Sequence, residues 1–126
     1  MQIKLDSIIL FVGDVEREKT FYREIFKLVL LEEVKDEWAV LSAGGCNISL
    51  HRIGKQYLHS ERVKHESNTK LVFETENIIN LREELVLKKV EVGEIKTFEN
   101  YGYWVCDGKD PEGNIFQLKQ NKQPAS

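Results

Sequence analysis

The feature that most constrains this 126-residue chain is that its pattern runs twice. Ser7-Ile8-Ile9-Leu10-Phe11-Val12-Gly13-Asp14 lies over Lys70-Leu71-Val72-Phe73-Glu74-Thr75-Glu76-Asn77, an offset of 63. Each copy is a short apolar run that ends on a helix-capping residue. Asp14 and Asn77 carry side-chain oxygens that can accept from the unpaired N–H groups of a first helical turn. The match continues with Trp38 over Trp104 and Gly45 over Gly113, at offsets of 66 and 68, and the drift falls in loops and turns. A chain that repeats strand, helix and further strands is expected to fold as two like units. A ferredoxin-like arrangement fits less well, since it has no use for a third strand after each helix.

The elements follow from local pattern. Residues 5–12 read as a buried strand closed by Gly13 and Asp14. Val15, Phe21, Tyr22, Ile25 and Phe26 recur at helical spacing, so a helix is expected to about Lys27. Residues 28–34, 37–42 and 46–53 read as strands, with Ala43-Gly44-Gly45 as a hairpin turn. Residues 54–68 form a polar connection with two histidines and room for a helical turn around 56–64. The second unit, 69–120, restarts with a strand at 69–75 and a helix whose apolar stripe is Ile78, Leu81 and Leu85. Strands are then expected at 90–98, 102–107 and 114–120, and 121–126 as a loose tail.

Within the last hairpin, Asp110-Pro111-Glu112-Gly113-Asn114 has the composition of a tight turn. Asp suits its first position, Pro the second and Gly the fourth. A D-P-x-G-N turn before hydrophobic-x-Leu resembles the last hairpin of the vicinal oxygen chelate superfamily, the glyoxalase, bleomycin-resistance and extradiol-dioxygenase group. With the repeat, the resemblance covers nearly the whole chain. It implies an α+β fold of two tandem βαβββ modules, 1–53 and 69–120, whose curved sheet forms a ligand cleft. It also implies a homodimer.

Side chains alternate across a strand, so parity separates two faces. One parity gives Ile8, Leu10, Val12, Ile48, Leu50, Leu71, Phe73, Phe116 and Leu118, all apolar, and is expected under the helices. The other gives Ser7, Ile9, Phe11, Asn47, Ser49, His51, Lys70, Val72, Glu74, Ile115, Gln117 and Lys119. That mixture suits a wetted surface rather than a dry core, because a buried unpaired polar group costs about 1–3 kcal/mol.

The resemblance places metal-chelating residues, His or Gln and then Glu, at positions that here hold Ser7, Ser49, Lys70 and Gln117. Hydroxyls are poor ligands for transition metals, and an ammonium offers only donors. No bound metal or other cofactor is expected. The leading expectation is a small-molecule binding protein in which Ser7, Phe11, Trp38, Ser49, His51, Lys70, Glu74, Tyr103, Trp104 and Gln117 are the candidate ligand contacts, and no catalytic residue is assigned. Alternatives are a glyoxalase-like lyase or isomerase with an ion site rebuilt from His51 and Gln117, and a scaffold with a collapsed cleft. Lys70 could anchor an anionic ligand, or pair with a nearby acid; the second is preferred. Trp38 and Trp104 would be stacking walls on the open side or core on the helix side, with core preferred for both. Tyr101 and Tyr103 have the parity opposite to Trp104, so one of these two sets should line the open side.

Composition removes other classes. The net charge is −3 and Lys and Arg are scattered, which argues against a nucleic-acid partner. The apolar run after Met1 is too short for a secretory signal, and no stretch approaches a membrane span. Cys46 and Cys106 fit no C-x-x-C pattern and are expected as free, buried thiols in a reducing cytoplasm.

Overall fold

The structure is a computed structural model that describes residues 2–54 and 68–123. The helical turn expected around 56–64, with His59 and His65, lies outside the described residues. The chain divides into two compact units, Met1–His65 and Glu66–Ser126. The first holds β1 (Ser7–Val12), α1 (Val15–Ile25), β2 (Val29–Val34), β3 (Trp38–Ser42) and β4 (Asn47–Arg52). The second holds β5 (Leu71–Glu74), α2 (Ile78–Leu87), β6 (Tyr103–Lys109) and β7 (Ile115–Asn121).

In the first unit the strand order is β1-β4-β3-β2, with β1 parallel to β4 and the other neighbours antiparallel. Helix α1 starts where Asp14 accepts from the Arg17 backbone N–H at 3.0 Å, with Glu16 and Glu18 in the first turn, where negative charge is favoured. Val15, Glu18, Tyr22 and Ile25 make its buried stripe, and α1 packs on β3 and β4 against Ala39, Leu41, Ile48 and Leu50. The helix stops at Phe26, and Lys27 follows in the left-handed region at φ 58°. Lys19 ties α1 to β2 through Glu33 (2.6 Å) while also holding Glu16 (2.8 Å).

The second unit repeats these devices. Asn77 caps α2 by accepting from the Asn80 N–H at 3.0 Å. Its end is a Schellman turn: Lys89 sits at φ 62°, Val90 N–H bonds Leu85 O at 2.9 Å, and Lys89 N–H bonds Val86 O at 3.0 Å. The strand order is β5-β7-β6, with β5 parallel to β7 and β6 antiparallel to it. Helix α2 packs on β6 and β7, where Leu85, Cys106, Phe116 and Leu118 are buried.

One expected element is replaced. Residues 90–98 do not form a strand; they touch β6 through two isolated bridges, Val92 to Gly108 and Lys96 to Val105. Between these bridges the 92–96 side carries one residue more than β6, so the ladder cannot continue. The Gly93 carbonyl accepts instead from Arg82 Nε (2.7 Å) and from the Cys106 thiol (3.3 Å).

Two features fix the last hairpin. Gly108 lies under the Phe116 ring: a Cβ there would fall on Cζ of that ring, 2.7 Å from its Cε1 and 3.0 Å from the Glu91 carbonyl oxygen. At the turn, Asp110 is buried and accepts from the Glu112 N–H, the Asn114 N–H (both 2.9 Å) and the Asn114 side-chain amide (2.8 Å). Gly113 supplies the positive φ of 88° that the turn needs. Strand β7 runs on to Asn121, one residue into the segment expected as a tail, of which 124–126 lie outside the described residues.

Candidate functional site

Each sheet has one face against its helix and one open face, and the registers assign every strand residue to one of them. In the first unit the open face is three rows running across the strands. Phe11, His51, Trp38 and Val34 form one end row, and Ile9, Ser49, Val40 and Glu32 the middle row. The other end row is Ser7, Asn47, Ser42 and Val29. Ser7, Phe11, Ser49 and His51 share one face, the one their parity gives, and Trp38 joins them there. The first row is an aromatic ladder: the His51 ring lies nearly parallel to Trp38 (6.4 Å, 27°) and edge-on to Phe11 (6.2 Å, 70°). Phe11 is 65% exposed and Ser49 only 5%. Beside the ladder Arg52 pairs with Glu37 at 3.0 Å.

Trp38 corrects the preference for a core position, since it faces the open side opposite His51. Trp104 departs from both expectations: it is off the open face, yet 38% exposed rather than core. It pairs with Gln120 on the helix side of its sheet, where Gln120 accepts from the Ile78 N–H at 2.7 Å. The two tryptophans are therefore not equivalent. The residue opposite Lys119 is Val105, as Trp38 is opposite His51, so Trp104 is one residue out of step. A slip of one residue moves a side chain to the other face. Tyr103 takes the open side of the second unit, as its opposite parity requires.

On that second open face Lys70, Asp107 and Gln117 meet. The Lys70 ammonium lies 2.7 Å from Asp107 Oδ2, and the Gln117 amide donates to Asp107 Oδ1 at 3.0 Å. Burial pushes the Asp107 carboxyl up. The hydrogen bonds from Lys70 and Gln117, with the charges of Lys70 and Lys96, outweigh it and hold the carboxyl below its ordinary value. The pair is intact above that lowered value and is lost as pH falls through it. Both partners are about half exposed, so the pair contributes no more than about 1 kcal/mol to stability. Further along the face Glu74 is in register with Lys119, whose ammonium lies 3.9 Å over the Tyr103 ring. Tyr101 packs edge-on to Tyr103 at 5.3 Å.

Asp107 is the residue that sequence reasoning missed, although a signal existed. The turn from Asp110 to Asn114 sets the register of β6 on β7, and counting back from it puts Asp107 opposite Gln117. Among the described residues, no group of three or more His, Cys, Asp or Glu is arranged to hold a metal ion.

These units, each a strand and helix leading to an antiparallel pair with the first and last strands parallel, define an α+β protein built from two like modules. The chain belongs to the Glyoxalase/Bleomycin resistance protein/Dioxygenase superfamily, whose family model matches residues 4–118. A genomically encoded fosfomycin resistance protein from Listeria monocytogenes is similar in structure, with 14% identity, a TM-score of 0.77 and coverage of 97% of this chain and 96% of that one. A lactoylglutathione lyase from Agrobacterium tumefaciens is 14% identical with a TM-score of 0.70, covering 92% of each chain. A glyoxalase-related enzyme from Fulvimarina pelagi is 19% identical with a TM-score of 0.74, covering 94% of this chain and 88% of that one. At these identities the likeness is one of fold. No curated protein sequence matches the chain. Among the described residues no helix is long and apolar enough to cross a membrane.

Proposed function

We propose that the protein binds a small organic ligand on the open faces of its sheets, without the divalent ion that membership of this superfamily suggests. The observation that carries this reading is the engagement of Asp107. Its carboxylate is held by an ammonium and an amide N–H, and Lys70 and Gln117 occupy two of the positions where the resemblance places chelating residues. The other two hold the hydroxyls of Ser7 and Ser49. Neither the two hydroxyls of the first unit nor the ammonium and amide of the second suit a divalent cation. A dication about 4 Å from the Lys70 nitrogen would be repelled by several kcal/mol at an effective dielectric near 20. Asp107 also neutralises Lys70, which disfavours Lys70 as the anchor of an anionic ligand.

Elemental analysis of protein purified without a tag tests the reading. The expected result is no stoichiometric divalent ion, together with a rise in melting temperature for some members of a broad compound set. A stoichiometric ion that is lost in Gln117→Ala or His51→Ala would overturn it in favour of a metal-dependent lyase or isomerase. An absence of any ligand-induced rise would point to a scaffold role.

A further inference from the structure

The open face of the first unit carries a chemical gradient that specifies its occupant. One end row presents the aromatic ladder of Phe11, His51 and Trp38; the opposite end row presents Ser7, Asn47 and Ser42. The rows are four residues apart along the strands, a separation of about 13 Å. Between them lies Ile9 beside the nearly buried hydroxyl of Ser49. Among the described residues the rows of this face carry no lysine or arginine; Arg52, next to His51 in the chain, is engaged by Glu37, and Glu32 on edge strand β2 is the acid in the rows.

We infer that the ligand is an uncharged, elongated molecule about 13 Å long, with a planar ring at one end and a hydrogen-bonding head at the other. The inference rests on the reading that this face binds a small organic molecule, and it adds the chemical class. The ring stacks on the ladder, where aromatic geometry adds to area burial. The head meets two hydroxyls and an amide, which donate and accept equally well and have no excess charge to offer. An anionic head is disfavoured, because these rows provide no cation to compensate its desolvation.

Four probes separate the terms in isothermal titration calorimetry of the full chain: 4-(2-naphthyl)butanamide, the matching carboxylate 4-(2-naphthyl)butanoate, decanamide, which lacks a ring, and 2-ethylnaphthalene, which lacks a head. Saturable binding of the naphthyl amide is expected, with the carboxylate and decanamide each roughly tenfold weaker. Trp38→Leu is expected to weaken the naphthyl amide by roughly tenfold and to leave decanamide unchanged. Asn47→Ala is expected to weaken the naphthyl amide and to leave 2-ethylnaphthalene, which has no head, unchanged. Equal binding of the carboxylate or of decanamide overturns the ligand class while leaving small-molecule binding intact. Failure of the naphthyl amide to bind at all overturns it too. The stoichiometric metal ion described above would instead overturn the parent reading.

Discussion

Gly108→Ala is expected to cost about 3 kcal/mol of stability or more, lowering the melting temperature by on the order of 10 °C. The added methyl would fall on the Phe116 ring, and neither neighbour can yield cheaply. Phe116 is fully buried on the helix side of β7, and the other close atom is the backbone carbonyl of Glu91. Glycine in a strand normally weakens it; here the cross-strand ring covers the gap the missing side chain leaves. Urea unfolding checks the size of the effect, and a double-mutant cycle checks its cause. In a Phe116→Leu background the added methyl has more room, so Gly108→Ala should cost at least 1 kcal/mol less there than in the native chain, by about the coupling expected for residues in contact. Additive losses would show that the clash is not the mechanism.

Asp110→Ala is expected to cost about 2–4 kcal/mol, because it removes a buried carboxylate that is the common acceptor of three hydrogen bonds in the turn. Asp110→Asn keeps one acceptor oxygen but puts an amide where Asn114 Nδ2 now donates, so it should lose about half as much. Equilibrium unfolding of both variants is the measurement. Equal stability of Asp110→Ala and the native chain would mean that the backbone bonds of the turn, Gly113 N–H to Asp110 O and Asp110 N–H to Asn114 O, suffice by themselves.

These two sites show what the sequence could reveal. The turn was legible because Asp, Pro and Gly each satisfy a backbone demand that is local. Asp14 and Asn77 were legible as caps for the same reason. The apolar parity of β1, β4, β5 and β7 was legible because alternate residues of each lie on the helix side of its sheet. The role of Gly108 was not, since it depends on a ring eight residues away in the partner strand. Trp38 and Trp104 misled because the repeat was matched on residue type. The register places Val105, not Trp104, in the place equivalent to Trp38. The strand expected at 90–98 failed for a related reason: its alternation changes phase between Val92 and Ile95, where one extra residue between the two bridges breaks the pairing. Of the candidate site, Ser7, Phe11, Ser49, His51, Lys70, Glu74 and Gln117 were assigned a face by alternation, whereas the faces of Trp38, Tyr103 and Trp104 follow only from the registers of β3 and β6. Asp107 was not found, because it is recognisable only after the hairpin has been paired.

Each unit contains one of the chain's two cysteines. Both were expected buried; Cys46 is instead partly accessible, whereas Cys106 is buried, donates to the Gly93 carbonyl, and has its thiol pushed up by burial. An alkylating reagent at neutral pH should therefore mark Cys46 from the folded state and Cys106 only when β6 separates from the 92–96 segment. The two labelling rates, followed by mass spectrometry, would act as separate internal clocks and show whether the duplicated halves come apart together or in turn.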